Sequence, residues 1–357
     1  MKDTYAIILC GGSGSRLWPR SRSKHPKHLL QLNGGATLVQ ETVKRVNLPL
    51  SKIFCITEAS HAELLRSQLP EIPDNNVIIE PDRRGTASAI ALALAAVSEV
   101  ADPDAVVVSL AADHLIPNHA EFKRTMSAWV DAARTLPRIV TLGIRPTYPS
   151  TGFGYINTGK RIDSLAEFDV FEIDQFVEKP NERTAETYLK SGKFYWNAGL
   201  FGAQLRVFQE EFAKYMPKLV EGIARVAAAK ADGDVTQVTK EYLALEPEAI
   251  EYGVIEKSDR LAVIPAAFGW ADIGSWADLH DVLERDPDGN VFEGEYVDID
   301  SHNCFIYSPD QLVATIGLDN LVIINTGDAV LICPKDRSQD VKKVVEQLKA
   351  RGQTKYL

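Results

Sequence analysis

Two aspartates far apart in the chain, Asp113 in LAADH and Asp272 in GWADIG, each stand beside small or glycine residues. Such tight backbone lets a carboxylate approach a magnesium ion shared with phosphate oxygens, and Mg2+ commonly takes one or two protein carboxylates and keeps water elsewhere. The same residues also read as a helix N-cap, for Asp113, and a turn-forming aspartate, for Asp272. A second ingredient of phosphate chemistry lies near the start of the chain. The apolar run Tyr5–Cys10 ends in Gly11, Gly12, Ser13 and Gly14, where the backbone can turn tightly and offer N–H groups to a phosphate. From Thr4 to Gln40 there is no Asp or Glu, although the chain carries a formal net charge of -10, and Arg16, Arg20, Arg22, Lys24 and Lys27 fall in that gap. Concentrated positive charge suits a polyanionic ligand. The loop is not a Walker loop, since Arg16 is followed by Leu17 rather than Ser or Thr, and it lacks the third glycine and later acid of a dinucleotide fingerprint. A solvated basic turn after a core strand is the plain alternative.

Base and sugar recognition have candidates of their own. Glu80 follows the apolar run Val77–Ile79, and RRGTA at Arg83–Ala87 then opens a helix-like segment. A carboxylate accepts hydrogen bonds, and guanine offers an N1–H beside an N2 amino group, so Glu80 can select guanine over adenine; an exposed strand-end acid is the bland reading. Sugars call for planar polar groups and closely approaching backbone. Glu178, Asn197 and the glycines of Gly152–Gly154 supply these, and Lys179 can reach a sugar phosphate. Trp196, Tyr155 and Phe201 read as core aromatics. The seven histidines, the serines and the cysteines form no nucleophile and base set, and His114 beside Asp113 reads as structural.

These residues need a scaffold. At 357 residues, with 45% hydrophobic and 25% charged residues, the chain has the makings of a soluble protein with one sizeable core and a second, smaller unit. Cys10, Cys55, Cys304 and Cys333 are scattered without metal-ligand spacing, which fits reduced thiols in the cytoplasm and not a zinc site. An acidic pI near 5.3 argues against general nucleic-acid binding. No long hydrophobic segment follows a basic start, and the Ala-rich run Thr86–Ser98 is too short to span a bilayer, so neither secretion nor membrane insertion is expected. Apolar runs at Tyr5–Cys10, Ile53–Ile56, Val77–Ile79, Ala105–Leu110 and Ile139–Leu142 alternate with helix-like segments near Thr37–Val46, Ser60–Leu69, Thr86–Val100 and Ala120–Ala133. That rhythm predicts an α/β fold with a Rossmann-like, mixed and mostly parallel sheet flanked by helices, and ligands at the carboxyl ends of the strands. Residues 1–285 are expected to form the catalytic domain, with a sugar lobe at about 148–275 laid over the sheet. Helical segments are predicted at Phe208–Ala229 and Thr236–Leu245. Residues 286–357 are expected to form a small β domain, with strands at Asn303–Tyr307, Val313–Ile316, Leu321–Asn325 and Ala329–Cys333 and a closing helix at Gln339–Ala350.

Taken in order, LCGGSGSRLWPRSRSKHPKHL, EPDRRGTASAI, AADH, TGFGYI, FVEKP, WNAGLF, EYGVIEKS, GWADIGSW and PKDRSQDVKKVVEQLK resemble the bacterial mannose-1-phosphate guanylyltransferases over nearly the whole chain. The resemblance implies a nucleotidyltransferase fold in which the sugar 1-phosphate oxygen attacks the α-phosphorus of GTP with Mg2+ present, giving GDP-mannose and pyrophosphate. By this likeness Gly11, Gly12 and Gly14 hold the nucleotide backbone, while Arg16 and Lys27 stabilise the triphosphate and the departing pyrophosphate. Glu80 with Gly85 and Thr86 frames guanine, Asp113 and Asp272 hold the magnesium ion, and Gly154, Glu178, Lys179 and Asn197 contact mannose 1-phosphate. Where the family usually reads Arg-Asn-Thr-Ala-Pro, this chain has Arg84, Gly85, Thr86, Ala87 and Ser88. Many relatives carry a further isomerase domain; this chain stops after its closing helix, so one activity is expected, with the β region from Asn290 onwards as a lid or the contact of a homodimer. The alternatives are a catalytically silent sugar-nucleotide sensor and a guanylyltransferase for another hexose 1-phosphate. A molybdopterin guanylyltransferase shares the glycine-rich start but explains neither the length nor FVEKP and WNAGLF.

Overall fold

Short runs of Val, Ile and Ala, apolar on both faces, become the interior strands of a nine-stranded sheet in the computed structural model, which describes residues 3–12, 14–32 and 35–357. Ser13 of the glycine loop lies outside these residues. The strands are β1 (Thr4–Cys10), β2 (Ile53–Glu58), β3 (Val77–Glu80), β4 (Val106–Ala111), β5 (His114–Leu115), β6 (Ile139–Ile144), β7 (Tyr155–Leu165), β8 (Phe168–Val177), β9 (Phe194–Gln204), β10 (Leu261–Ala266), β11 (Ala271–Asp272), β12 (Val291–Ile299), β13 (Phe305–Ile316), β14 (Leu321–Asn325) and β15 (Val330–Pro334).

Contacts divide the chain into two units. The first, Met1–Cys10, Thr42–Ala112 and Ile116–Trp270, holds the large sheet, in the order β3-β2-β1-β4-β9-β6-β10-β8-β7. Strands β1 to β4 run parallel, as do β6 and β10, and β9 lies antiparallel between β4 and β6. The sheet is therefore mixed, and the expected sugar lobe is not laid over it: β7, β8 and β9 are strands of the same sheet. Strand β9 earns its central place by composition, since FYWNAGLFGAQ is buried along most of its length. The helix Gly85–Ser98 packs a face of Ala87, Ile90, Leu94 and Val97 into the core of this unit. The predicted helix Phe208–Ala229 is two helices, Leu205–Tyr215 and Pro217–Ala231, because Pro217 lacks the N–H needed inside a helix and suits a first-turn position. Among the described residues no helix is long and apolar enough to cross a membrane.

The second unit joins Gly11–Glu41, Asp113–Leu115 and Ala271–Leu357. Its segments 11–41 and 113–115 follow directly on the ends of β1 and β4 in the chain, so no single cut near residue 285 separates the two units. Strands β5 and β11 pair antiparallel, with Asp272 opposite His114. The sheet β12-β13-β14-β15 has a core of Trp18, Trp276, Phe305, Val322 and Ile324, to which Leu17 and Val341 also belong. Two strands expected at Asn303–Tyr307 and Val313–Ile316 form the single long β13, and β12 has no counterpart in the sequence prediction. Three acids and a glycine interrupt VFEGEYVDI, while Gly294 at the bulge of the β12–β13 pair has φ 111° and no room for a Cβ against the Ser308 carbonyl. The closing helix begins at Val341, after a 3-10 segment at Lys335–Asp340.

Trp276 is the keystone of this second core: it is fully buried, its ring tilts against Phe305, and its indole N–H donates to the Trp18 carbonyl at 3.0 Å. Trp276→Ala is expected to cost about 3–5 kcal/mol in denaturant unfolding, the usual range for an aromatic cavity. A loss under about 1 kcal/mol would mean that this core tolerates the void.

Candidate active site

In the second unit, the ammonium of Lys27 donates to Asp113 Oδ2 at 2.8 Å and to Asp272 Oδ1 at 3.0 Å. Three segments supply the group: the short turn Lys27–Leu29, the turn between β4 and β5, and β11. Pairing of His114 with Asp272 brings the two aspartates side by side. Neither is a helix cap; Asn118 caps the helix His119–Thr135 by accepting from Glu121 N. The Lys27 side chain is 5% exposed, whereas Asp113 and Asp272 are 28% and 36% exposed. A buried lysine thus holds two carboxylates whose outer faces remain open to solvent. Burial disfavours the charge on Lys27, but Asp113 and Asp272 outweigh it and hold its pKa above the usual range. Burial likewise opposes the Asp113 charge, and the Lys27 ammonium overcomes this, holding the carboxyl well below the usual aspartate range.

The glycine loop has a related order. Gly12 and Gly14 have φ of 94° and 58°, and a Cβ at Gly14 would press on the Lys27 side chain and Ser21 Oγ, while Gly11 and Gly12 face open space. Arg16 donates to Gln339 Oε1 at 2.8 Å, and its guanidinium also lies close to Gly274 and Asp278. Two other cations of the acid-free stretch are structural. Arg22 forms a two-point pair with Asp328, and Arg20 is half-buried over the Tyr307 ring with Glu293 beyond it. Residues of the β region thus anchor the turn that carries Arg16. Trp18 confirms the attachment by donating to the Tyr356 carbonyl at 2.7 Å.

The expected base and sugar residues lie in the first unit. Glu80 ends β3, is only 7% exposed, and accepts a 2.5 Å hydrogen bond from the Tyr242 hydroxyl. Burial pushes its carboxyl upward, and the tyrosine opposes that. Gly85 has φ 80°, a conformation that favours glycine, and a Cβ there would collide with the Glu248 carbonyl. Thr86 Oγ1 accepts from Ile250 N at 2.9 Å.

Around the sugar candidates, Glu178 Oε1 pairs with Lys179 Nζ at 3.2 Å, while buried Oε2 has no hydrogen-bond partner among the described residues. Burial, with Glu251 nearby, pushes the Glu178 carboxyl up. Gly154 is packed so closely that a Cβ would strike Glu178 Oε2, and its carbonyl accepts from Asn197 N at 2.8 Å. Asn197 Oδ1 is already bonded by Thr141 Oγ1 and Gly199 N, which leaves its NH2 for a ligand. Lys179 adopts a left-handed φ of 46°, a local strain typical of ligand-holding positions. Tyr155, Trp196 and Phe201 are core residues.

A family profile described as nucleotidyl transferase matches residues 5–289, and one described as a MannoseP isomerase/GMP-like β-helix domain matches residues 294–348. The mannose-1-phosphate guanylyltransferase ManC of Salmonella typhimurium is 38% identical over 99% of this chain and 74% of its own length. This chain belongs to the mannose-1-phosphate guanylyltransferase family. Another member, the mannose-1-phosphate guanylyltransferase of Escherichia coli K12, is 38% identical over 99% of this chain and 75% of its own. A crystal structure described as a mannose-1-phosphate geranyltransferase from Thermus thermophilus superposes with a TM-score of 0.86 at 32% identity, covering 97% of this chain and 99% of that one. The fold of this guanylyltransferase-family chain is thus the nucleotidyltransferase sheet with a small β domain.

Sequence reasoning missed Tyr242, Gln339 and Glu251, which touch Glu80, Arg16 and Thr86 respectively. No local pattern announces them, because each meets its partner only across a long chain separation.

The depressed Asp113 pKa stabilises the fold above the ordinary aspartate value, and that contribution is lost as pH falls through the folded value. Lys27→Ala removes it and leaves two neighbouring carboxylates without a cation. After discounting for their partial exposure, a loss of about 2 kcal/mol is expected at neutral pH. Melting curves should show the gap from wild type closing only below about pH 4; a gap independent of pH would disprove the coupling.

Proposed function

We propose that this chain transfers GMP from GTP to α-D-mannose 1-phosphate, forming GDP-mannose and pyrophosphate. A phosphate oxygen of the sugar ester attacks the α-phosphorus in line and pyrophosphate departs, a reaction that needs positioning and charge neutralisation rather than a covalent enzyme intermediate. The observation that carries this reading is the meeting of Asp113 and Asp272 on one cation. Among the described residues no three His, Cys, Asp or Glu side chains converge as a metal cage. Two open carboxylates nevertheless fit Mg2+, which leaves most of its shell to phosphate oxygens and water. When bound, the ion neutralises charge on the phosphates, and Asp113 and Asp272 would hold it.

The chain's own residues do the rest. Lys27 keeps the two aspartates together and cancels one of their charges. The N–H groups of the loop at Gly11, Gly12 and Gly14 receive the nucleotide phosphates, and Arg16 exchanges Gln339 for the departing pyrophosphate. Glu80, with Gly85 and Thr86, receives guanine. The partnerless Oε2 of Glu178 accepts a sugar hydroxyl, Asn197 donates its NH2, and Lys179 takes the sugar phosphate. A silent sensor would bind these ligands without turnover.

The chain is also proposed to form a homodimer through its β domain. Val297, Ile299, Leu312 and Ile316 share one face of β12 and β13, each at least half exposed, and β12 is an outer strand. These side chains form an exposed apolar strip, bordered by the acids Glu295 and Asp310, that pairing with a second copy would cover as the centre of a larger contact.

Incubation with GTP, mannose 1-phosphate and Mg2+ should release pyrophosphate; release only with another sugar phosphate or nucleotide would reject the substrate assignment, and binding without release would favour the sensor. Asp113→Ala should lower kcat about 100-fold or more, a loss of ~2.7 kcal/mol in transition-state stabilisation, with the melting curve still cooperative. Wild-type turnover in that variant would reject the metal role. Light scattering should give twice the chain mass, falling to the monomer in Ile316→Lys; a monomeric wild type would remove the dimer.

A further inference from the structure

Tyr242 is a fully buried residue on the helix Val235–Leu243, and its hydroxyl reaches across 162 positions to Glu80 Oε1. We propose that Tyr242 is a positioning residue that sets nucleotide selectivity by clasping one oxygen of Glu80, so that the carboxylate meets the base ionised and in one orientation. The inference rests on the reading of Glu80 as the group that receives guanine.

The chemistry is one of matching donors and acceptors. An ionised carboxylate only accepts, which suits the N1–H and N2 amino donors of guanine and repels the bare N1 of adenine. A protonated carboxyl has one donor and one acceptor, which suits adenine N1 and its N6 amino group. The protonation state of Glu80 therefore decides which base fits. Burial pushes this carboxyl toward the neutral form, and Glu58 on β2 and Asp82 just after β3 push the same way. Tyr242 and Arg83 oppose them, and the tyrosine does so through a hydrogen bond that an ionised oxygen accepts more strongly than a neutral one. Arg84 is the remaining charge near the tyrosine.

The surrounding backbone makes the clasp rigid. Glu248 N donates to the Arg84 carbonyl and Ala87 N to the Glu248 carbonyl, both at 3.2 Å, while Arg84 Nε bonds the Leu243 carbonyl at 3.1 Å. The segment that carries Tyr242 is thereby tied to the loop that follows Glu80. At Gly85 the Glu248 carbonyl occupies the place of a side chain. Position 85 therefore offers the base backbone only, and no side chain there shares the work of the Glu80–Tyr242 pair.

Tyr242→Phe removes one oxygen and keeps the ring. Measured as kcat/KM with GTP and ATP, the preference for GTP should fall about tenfold, and further near pH 6 than near pH 8, while KM for mannose 1-phosphate stays unchanged. A preference within twofold of wild type at both pH values would overturn the proposal. Glu80→Gln separates the two readings: if it relaxes the preference and Tyr242→Phe does not, only the role of Tyr242 is lost; if neither moves it, Glu80 does not read the base at all and both fail. Should Tyr242→Phe not fold, site-specific 3-fluorotyrosine at position 242 provides a stronger donor in the same shape. It should move the acidic limb of the GTP profile to lower pH, and an unmoved limb would overturn the inference.

Discussion

One buried ammonium, that of Lys27, organises the aspartate cluster of the second unit. Lys27 would be costly in a dry interior without counter-charges, and Asp113 and Asp272 would repel each other without a cation between them. Each residue makes the others tolerable, and the three chain segments that bear them are held together within the second unit. The same unit includes the C-terminal β region, whose Gln339 and Tyr356 backbone secure Arg16 and Trp18. Family profiles meet between residues 289 and 294, yet the second unit, which joins Gly11–Glu41 to Ala271–Leu357, crosses that boundary. A loop built on glycines has little side-chain mass of its own, so the packing that stabilises it has to come from elsewhere in the chain.

The first unit handles its acids differently. Glu80, Glu178 and Glu251 are all shielded from water and all have their carboxyls pushed upward, chiefly by burial. Their partners set them apart. Glu80 is held by a neutral donor, Tyr242, whereas Glu178 has a lysine on one oxygen and, among the described residues, no hydrogen-bond partner on the other. A buried oxygen left without a partner carries a cost of order 1–3 kcal/mol, and a ligand hydroxyl would remove it. The left-handed backbone at Lys179 is a second local cost at the same place. Both are local costs that packing alone does not explain.

Legibility in the sequence followed the reach of the forces involved. Strands β1 to β4 and β6 were readable because each is a short, nearly unbroken apolar run, a pattern set by burial on both faces. The break at Pro217 follows from proline's missing donor, although the apolar periodicity on either side of it reads as one long helix. Strand β12 was hidden by its acids, which an exposed outer strand tolerates and a buried one would not. The placement of β9 between two parallel blocks is a matter of pairing, on which local pattern is silent.

By itself, the sequence determined the class of fold, the glycine loop with its acid-free neighbourhood, and, through motif order, the family and the residues worth watching. Only the tertiary structure decided which of those residues meet. Lys27 lies 86 positions from Asp113 and 245 from Asp272, and Tyr242 lies 162 from Glu80. Periodicity and turn chemistry act over a few residues, whereas ion pairs and buried hydrogen bonds act through space once distant segments have packed, so the partners of a charge are written in the fold and not in its neighbourhood along the chain.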